Sequence, residues 1–215
     1  MGTAGGVTDG GGPFGGMGGF GGSGLGGNGG LGGSGGEGAG SLGGSGPVEC
    51  SMLPSYPVAY ETLQGFTTAE DFAFDSLGNQ VSIDANGNLV RIKKTGEISL
   101  WIPSFAFNSA GIVALPDDSV VVCDVENNSI KRAFPNGATS VLLGGLDYPN
   151  GIDVGPDGFI YVAEDNGGRV LRVHPDTGAS TVVVNVSHPN GIAFTEDPTV
   201  FYVGSYNEQL IYKVV

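Results

Sequence analysis

Four positions in this chain are separated by identical intervals: Glu70, Ala110, Asn150 and Asn190. Each opens a short run, EDFAFD at 70–75, AGIVAL at 110–115, NGIDVG at 150–155 and NGIAFT at 190–195. One carboxylate and two carboxamides in equivalent places offer only oxygen donors. Hard divalent cations such as Ca²⁺ take several such oxygens at about 2.3–2.6 Å, mixing carboxylate with amide carbonyl. An Asn-Gly pair standing alone reads as a turn. Two of them at one register, with Glu70 at the same register, read equally as a cation site whose only charged donor is Glu70.

The spacing also says what must hold these side chains. Each opening is followed by a polar turn (SLGN, PDDS, PDGF, EDPT) and a strand-like run (QVSID, VVVCD, IYVAED, VFYVGS). A second turn (ANGN, ENNS, NGGR, YNEQ) leads to a third run (LVRIKK, IKRAF, VLRVHP, LIYKVV), and in three units a fourth run closes the repeat (ISLWI, TSVLLG, STVVVNV). Four β-branched, aromatic strands between Gly/Asn/Asp turns make an antiparallel meander. A forty-residue period of such meanders is the signature of a β-propeller blade, whereas a sandwich needs no unbroken register. No run carries a sustained 3.6-residue apolar pattern, so the expected fold is all-β without long helices. The blades fall near 66–104, 105–145, 146–185 and 186–215. In a propeller the innermost strands line a central channel, which would bring residues 70, 110, 150 and 190 face to face. Four blades could form a complete ring, closed by a strand from 57–63, or the first part of a larger one.

Residues 1–46 hold 26 of the 42 glycines, with no Lys or Arg and only Asp9 and Glu37 as acids. Such a segment cannot bury enough apolar surface to offset its chain entropy and is expected to be a disordered tether. The GxGxxG matches within it neither follow a strand nor open a helix, so they carry no dinucleotide signal. The propeller domain is expected over 47–215. The formal net charge of −14 repels phosphate backbones and excludes nucleic acid as a natural partner. No run approaches the roughly 18 apolar residues of a membrane helix. Cys50 and Cys123 lack CxxC spacing, and with only His174 and His188 they make a poor zinc set; a disulfide and two separate thiols both remain open. No basic n-region and apolar core mark a signal peptide.

The segments Tyr148-Pro149-Asn150-Gly151-Ile152-Asp153, with Pro156-Asp157-Gly158, and His188-Pro189-Asn190-Gly191-Ile192-Ala193-Phe194 resemble the family of senescence marker protein, gluconolactonase and luciferin-regenerating enzyme. The opening Ala69–Asp75 resembles the first blade of that family and of its relatives, the paraoxonases and strictosidine synthases. The resemblance spans residues 60–215. It implies a six-bladed ring with a divalent metal, Ca²⁺, in the channel, and a small lactone or ester as substrate. Glu70, Asn150 and Asn190 fall on three metal-ligand positions. The fourth, an Asp that also serves as the acid–base residue, would lie beyond Val215. Tyr148 stands where the sugar lactonases place a substrate-contacting Arg, which argues against an anionic sugar acid. The glycine tether resembles those joining secreted bacterial lipoproteins to their folded domains. That implies an extracytoplasmic location, with a lipid or cell-envelope anchor upstream of Met1.

Two functions follow. One is a metal-dependent lactone or ester hydrolase, with Tyr148 and His188 contacting substrate at the channel mouth. The other is a non-catalytic propeller of the NHL kind that binds a protein or polysaccharide partner through its loops. Asp157 and Asp165 are expected in turns and solvated edges, and His174 on the surface. Without a GxSxG elbow, Ser/His/Asp catalysis has no support.

Overall fold

A computed structural model describes residues 70–215. The glycine-rich segment 1–46, Cys50 and the candidate closing strand at 57–63 lie outside the described residues. Within 70–215 there are fifteen strands and no helix. They form four antiparallel meanders. The first contains β1 (Ala73–Phe74), β2 (Gln80–Ile83), β3 (Leu89–Ile92) and β4 (Ile98–Ile102). The second contains β5 (Ser109–Ala114), β6 (Val120–Asp124), β7 (Ser129–Ala133) and β8 (Thr139–Gly144). The third runs from β9 (Pro149–Val154) through β10 (Ile160–Glu164) and β11 (Arg169–Val173) to β12 (Ser180–Asn185). The fourth has three strands, β13 (Pro189–Phe194), β14 (Phe201–Ser205) and β15 (Leu210–Val214). These are the blades that the forty-residue period predicts.

Burial follows position in the blade. The second strands β6 and β10 are buried at every residue, because each is covered on both faces by neighbouring blades. That is why VVVCD and IYVAE read as continuous apolar runs rather than alternating ones. The outer strands β8 and β12 are largely exposed. Three apolar seams hold the array together: Val81 and Ile112 in the first, Val121, Ile130 and Ile152 in the second, Tyr161, Val170 and Phe194 in the third. Each fully buried Val or Ile contributes about 1.5–3 kcal/mol on burial. The innermost strands pack in order, β1 on β5, β5 on β9 and β9 on β13. No apolar seam among the described residues joins the fourth blade to the first.

Polar bridges tie the blades near their outer turns. Ser76 donates from its amide and hydroxyl to Asp118 of the next blade at 2.8 and 2.7 Å. Arg132, itself buried, donates to Ser119 and Asp117 on its own blade at 2.8 and 2.7 Å. Across the seam it donates to the Pro175 carbonyl at 2.7 Å and to Asp176 at 3.0 Å. The turn after each second strand is closed by an equivalent side chain. Asp84 accepts from Asn86 and Asn88, and Asp124 from Asn127 and Lys131. Glu164 accepts from the Asp147 amide and Arg169. Ser205 donates to the Ser187 carbonyl at 2.6 Å.

Candidate functional site

The innermost strands do not pair evenly with their neighbours. Ser109 opposes Asp124 and Ile112 opposes Val122, so Ala110 and Gly111 together face Cys123 alone. Pro149 opposes Glu164 and Ile152 opposes Val162, leaving Asn150 and Gly151 against Ala163. Pro189 opposes Ser205 and Ile192 opposes Val203, leaving Asn190 and Gly191 against Gly204. Two residues against one is a β-bulge, a feature that re-aims a side chain. Each Asn-Gly therefore sits inside a strand, at a bulge repeated in three blades, and the hairpin-turn reading does not hold.

In two of the three pairs the glycine has a steric reason. A Cβ on Gly111 would lie 2.6 Å from the Asn150 carbonyl oxygen, and one on Gly151 would lie 1.7 Å from that of Asn190. Adjacent inner strands approach so closely that only glycine fits between them. In the first blade the equivalent residue is Asp71, whose Oδ2 accepts from the Ile112 amide at 3.2 Å.

Glu70, Asn150 and Asn190 line the same two connecting hollows along the axis of the array. On one side they meet Asp71 and the glycines and isoleucines of the inner strands. On the other they meet Tyr148, Asp165, Asn166 and Tyr206 in a cleft of about 350 Å³. Asn150 is buried, while Glu70 is exposed. No group of three His, Cys, Asp or Glu side chains converges among the described residues. The donors in the cleft are instead carboxylates and carboxamides, an all-oxygen set whose chemistry suits a hard cation and not zinc.

The mouth of the cleft belongs to loops of the third and fourth blades. Tyr148 lines it, and its carbonyl accepts from the Asp165 amide at 3.0 Å. His188 occupies the equivalent place one blade on, and its carbonyl accepts from the Tyr206 amide at 3.0 Å. Both Tyr148 (φ 57°) and His188 (φ 45°) adopt left-handed backbone, unfavourable for bulky side chains and held here by those bonds. His188 Nδ1 lies 2.7 Å from Asp165 Oδ1, joining the two blades across the mouth.

Asp165 does lie in the turn after β10, but it is not the solvated residue that the sequence suggests. It is partly buried, paired with an imidazole, and the second carboxylate of the cleft. Asn166 and Tyr206 were also missed. Residues 125, 165 and 206 are structurally equivalent yet read Val, Asp and Tyr, so no repeat marks them. Asp157 does sit in a turn, where it accepts from Arg172 at 2.7 Å. His174 lies away from the cleft, edge-on to Phe159 at 5.2 Å. Cys123 is a fully buried free thiol whose pKa burial pushes far up, so it is inert as a nucleophile. Asp153 is shifted upward by desolvation, reinforced by the charge of Asp71.

No family model matches the chain, and no curated protein matches it. Solved structures do. A gluconolactonase from Xanthomonas campestris superposes with a TM-score of 0.61 at 23% identity, over 69% of this chain and 58% of its own. A virginiamycin B lyase from Staphylococcus aureus gives 0.55 at 20%, over 72% and 57%. A chain of the nidogen/laminin complex gives 0.57 at 23%, over 64% and 56%. At these identities the likeness shows the fold alone, a β-propeller array. The chain spans less than two thirds of the length of each of these structures.

Proposed function

We propose that this chain forms the cation-holding part of a lactonase-type hydrolase acting on a small, uncharged lactone or ester. The observation that carries this reading is that Glu70, Asn150 and Asn190, on three different blades, line one cleft. Glu70 supplies the charge that a hard cation requires, and the carboxamide oxygens of Asn150 and Asn190 complete the donor set from this chain. Gly111 and Gly151 let the inner strands approach closely enough for those oxygens to share a hollow. A bound divalent cation supplies polarisation of the substrate carbonyl and stabilisation of the charge that develops on its oxygen.

The remaining residues act on the substrate. Tyr148 and Tyr206 offer aromatic faces at the mouth, with no Lys or Arg among the lining residues to attract an anion. Glu70 and Asp165 repel a carboxylate or phosphate, which favours a neutral substrate. Asp165 orients the His188 ring, whose Nε2 can hydrogen-bond a ligand entering the cleft.

The test is calcium-dependent binding of a neutral lactone such as δ-valerolactone, followed by saturation-transfer NMR. The reading expects lactone contact that chelation abolishes and added calcium restores, and no contact with the ring-opened hydroxy acid. Lactone contact indifferent to calcium, or none with calcium present, would leave the chain as a binding module without this chemistry.

A further inference from the structure

Five Asn-Gly pairs lie within residues 70–215, at 86–87, 136–137, 150–151, 166–167 and 190–191. An asparagine followed by glycine can react with its own backbone, because no Cβ keeps the glycine amide nitrogen away from the carboxamide carbon. Closure needs a carboxamide free to turn and a glycine amide free to leave its hydrogen bond. The fold meets these conditions unevenly. Asn150 and Asn190 lie inside β9 and β13, so closure there would have to unpair a strand. In the outer turn of the second blade the Gly137 amide donates to the Phe134 carbonyl at 2.9 Å, and Asn136 Oδ1 accepts from the Ala138 amide at 3.0 Å. In the turn after β2 the Gly87 amide donates to the Asp84 carbonyl at 3.0 Å. The Gly87 carbonyl is held in turn by the amides of Phe105 and Ala106, at 2.7 and 3.0 Å.

The fifth pair is held least. Asn166 and Gly167 are exposed in the turn between β10 and β11. Asn166 lines the cleft, and its carboxamide has no hydrogen-bond partner among the described residues. The Gly167 amide reaches only the Asp147 carbonyl, at 3.3 Å, a longer bond than that of Gly87 or Gly137. The frame of the turn is fixed on either side of the pair. The Gly168 amide donates to the Glu164 carbonyl at 2.9 Å, and the Gly168 carbonyl accepts from the Val186 amide at 3.1 Å. The centre of the turn can therefore close on itself while its ends stay in place. The loops beside it, which carry Tyr148 and His188, are bonded to Asp165 from both sides.

We infer that Asn166 is a site of spontaneous deamidation, which converts one carboxamide of the cleft into a carboxylate beside Glu70 and Asp165. The Gly167 amide nitrogen bonds to the side-chain carbonyl carbon of Asn166, and the bond from that carbon to the carboxamide nitrogen breaks. The Gly167 amide proton passes through solvent to the departing nitrogen, which leaves as ammonia. Water then opens the cyclic imide, leaving either aspartate or isoaspartate at position 166. Water is the only co-reactant, and nothing is oxidised or reduced. Either product adds a negative charge to a cleft that already holds two carboxylates. The effect of that charge on a cation rests on the cation-holding reading above, whereas the reaction itself does not.

Peptide mapping by mass spectrometry of the full chain, held in warm and mildly alkaline buffer, tests the reaction, with the same chain in urea as the unfolded reference. In the folded protein the peptide containing Asn166 converts first. Its lead over the other four pairs is at least about fivefold, the factor that one further hydrogen bond to break imposes. In urea that lead disappears. Asn166→Gln lowers the early release of ammonia from the folded chain. Conversion led by another of the five pairs, no conversion at Asn166, or a lead that persists in urea overturns the inference. Calcium titration of Asn166→Asp beside the parent reads the consequence, an affinity raised at least about fivefold by the added charge. Equal affinities overturn the effect on the cleft. A parent that binds no calcium counts against the cation-holding reading instead, and the mapping then decides the inference.

Discussion

Asp165 is held at the cleft from two directions, by its own amide on the Tyr148 carbonyl and by its carboxylate on His188 Nδ1. Asp165→Asn keeps the shape but removes the charge that orients the imidazole. The expected result is weaker lactone binding by about tenfold, with little change in the thermal midpoint, because a bond to a charged group contributes about 1.5–3 kcal/mol where it is shielded and less where it is exposed. Lactone titration beside a melting curve reads both. The turn carboxylates set the acid limit. Burial pushes Asp75, Asp84, Asp117 and Asp157 upward, but hydrogen bonds from nearby amides and side chains, with Arg91, Arg132 and Arg172 beside three of them, hold all four below 3.8. Their contribution is present above that unfolded value and lost as pH falls through the lower folded values. Asp153, raised by burial, acts in the opposite sense, destabilising as pH rises past 3.8. Four outweigh one, so the thermal midpoint should drop on acidification below about pH 4. Asp157→Asn should make that drop shallower.

The bulge is the element that turns a repeat into a site. Gly151→Ala forces a Cβ onto the Asn190 carbonyl, a backbone atom that cannot swing away. The expected cost is about 1–3 kcal/mol or more, typical of overpacking a well-filled interior. Gly191→Ala, at the same register with open space before it, should leave the unfolding of the isolated chain within about 0.5 kcal/mol of the parent, as surface substitutions do. Urea unfolding at low protein concentration compares the two. The strands, their order and the equivalence of Glu70, Asn150 and Asn190 were legible because each repeat must bury the same face at the same step. The bulges were not legible, since an Asn-Gly inside a strand and one in a turn have the same letters. Asp165 was hidden for a related reason: its partner His188 lies on another blade, and a pair across a seam leaves no trace in the spacing of either repeat.

At the scale of the molecule, seams and bridges make the blades a single unit. Arg132 joins Asp117 and Ser119 of the second blade to the Pro175 carbonyl and Asp176 of the third. Arg132→Ala should destabilise by about 2–3 kcal/mol, because it leaves polar groups around a buried position unpaired. Arg132→Lys should recover only part, since an ammonium cannot span all four acceptors. Denaturant midpoints order the three proteins. Cation binding should act on the same unit. At a hundredfold excess over Kd, calcium should add about 2.7 kcal/mol of stability, seen as a rise in thermal midpoint that chelation reverses.

The most direct measurement is a calorimetric titration of calcium into the chain and into its Glu70→Gln variant. One calcium per cleft with affinity lowered at least about tenfold in the variant is the predicted result, because the substitution removes the charged donor of the set. Equal affinity in both proteins, or no heat of binding in either, would contradict it.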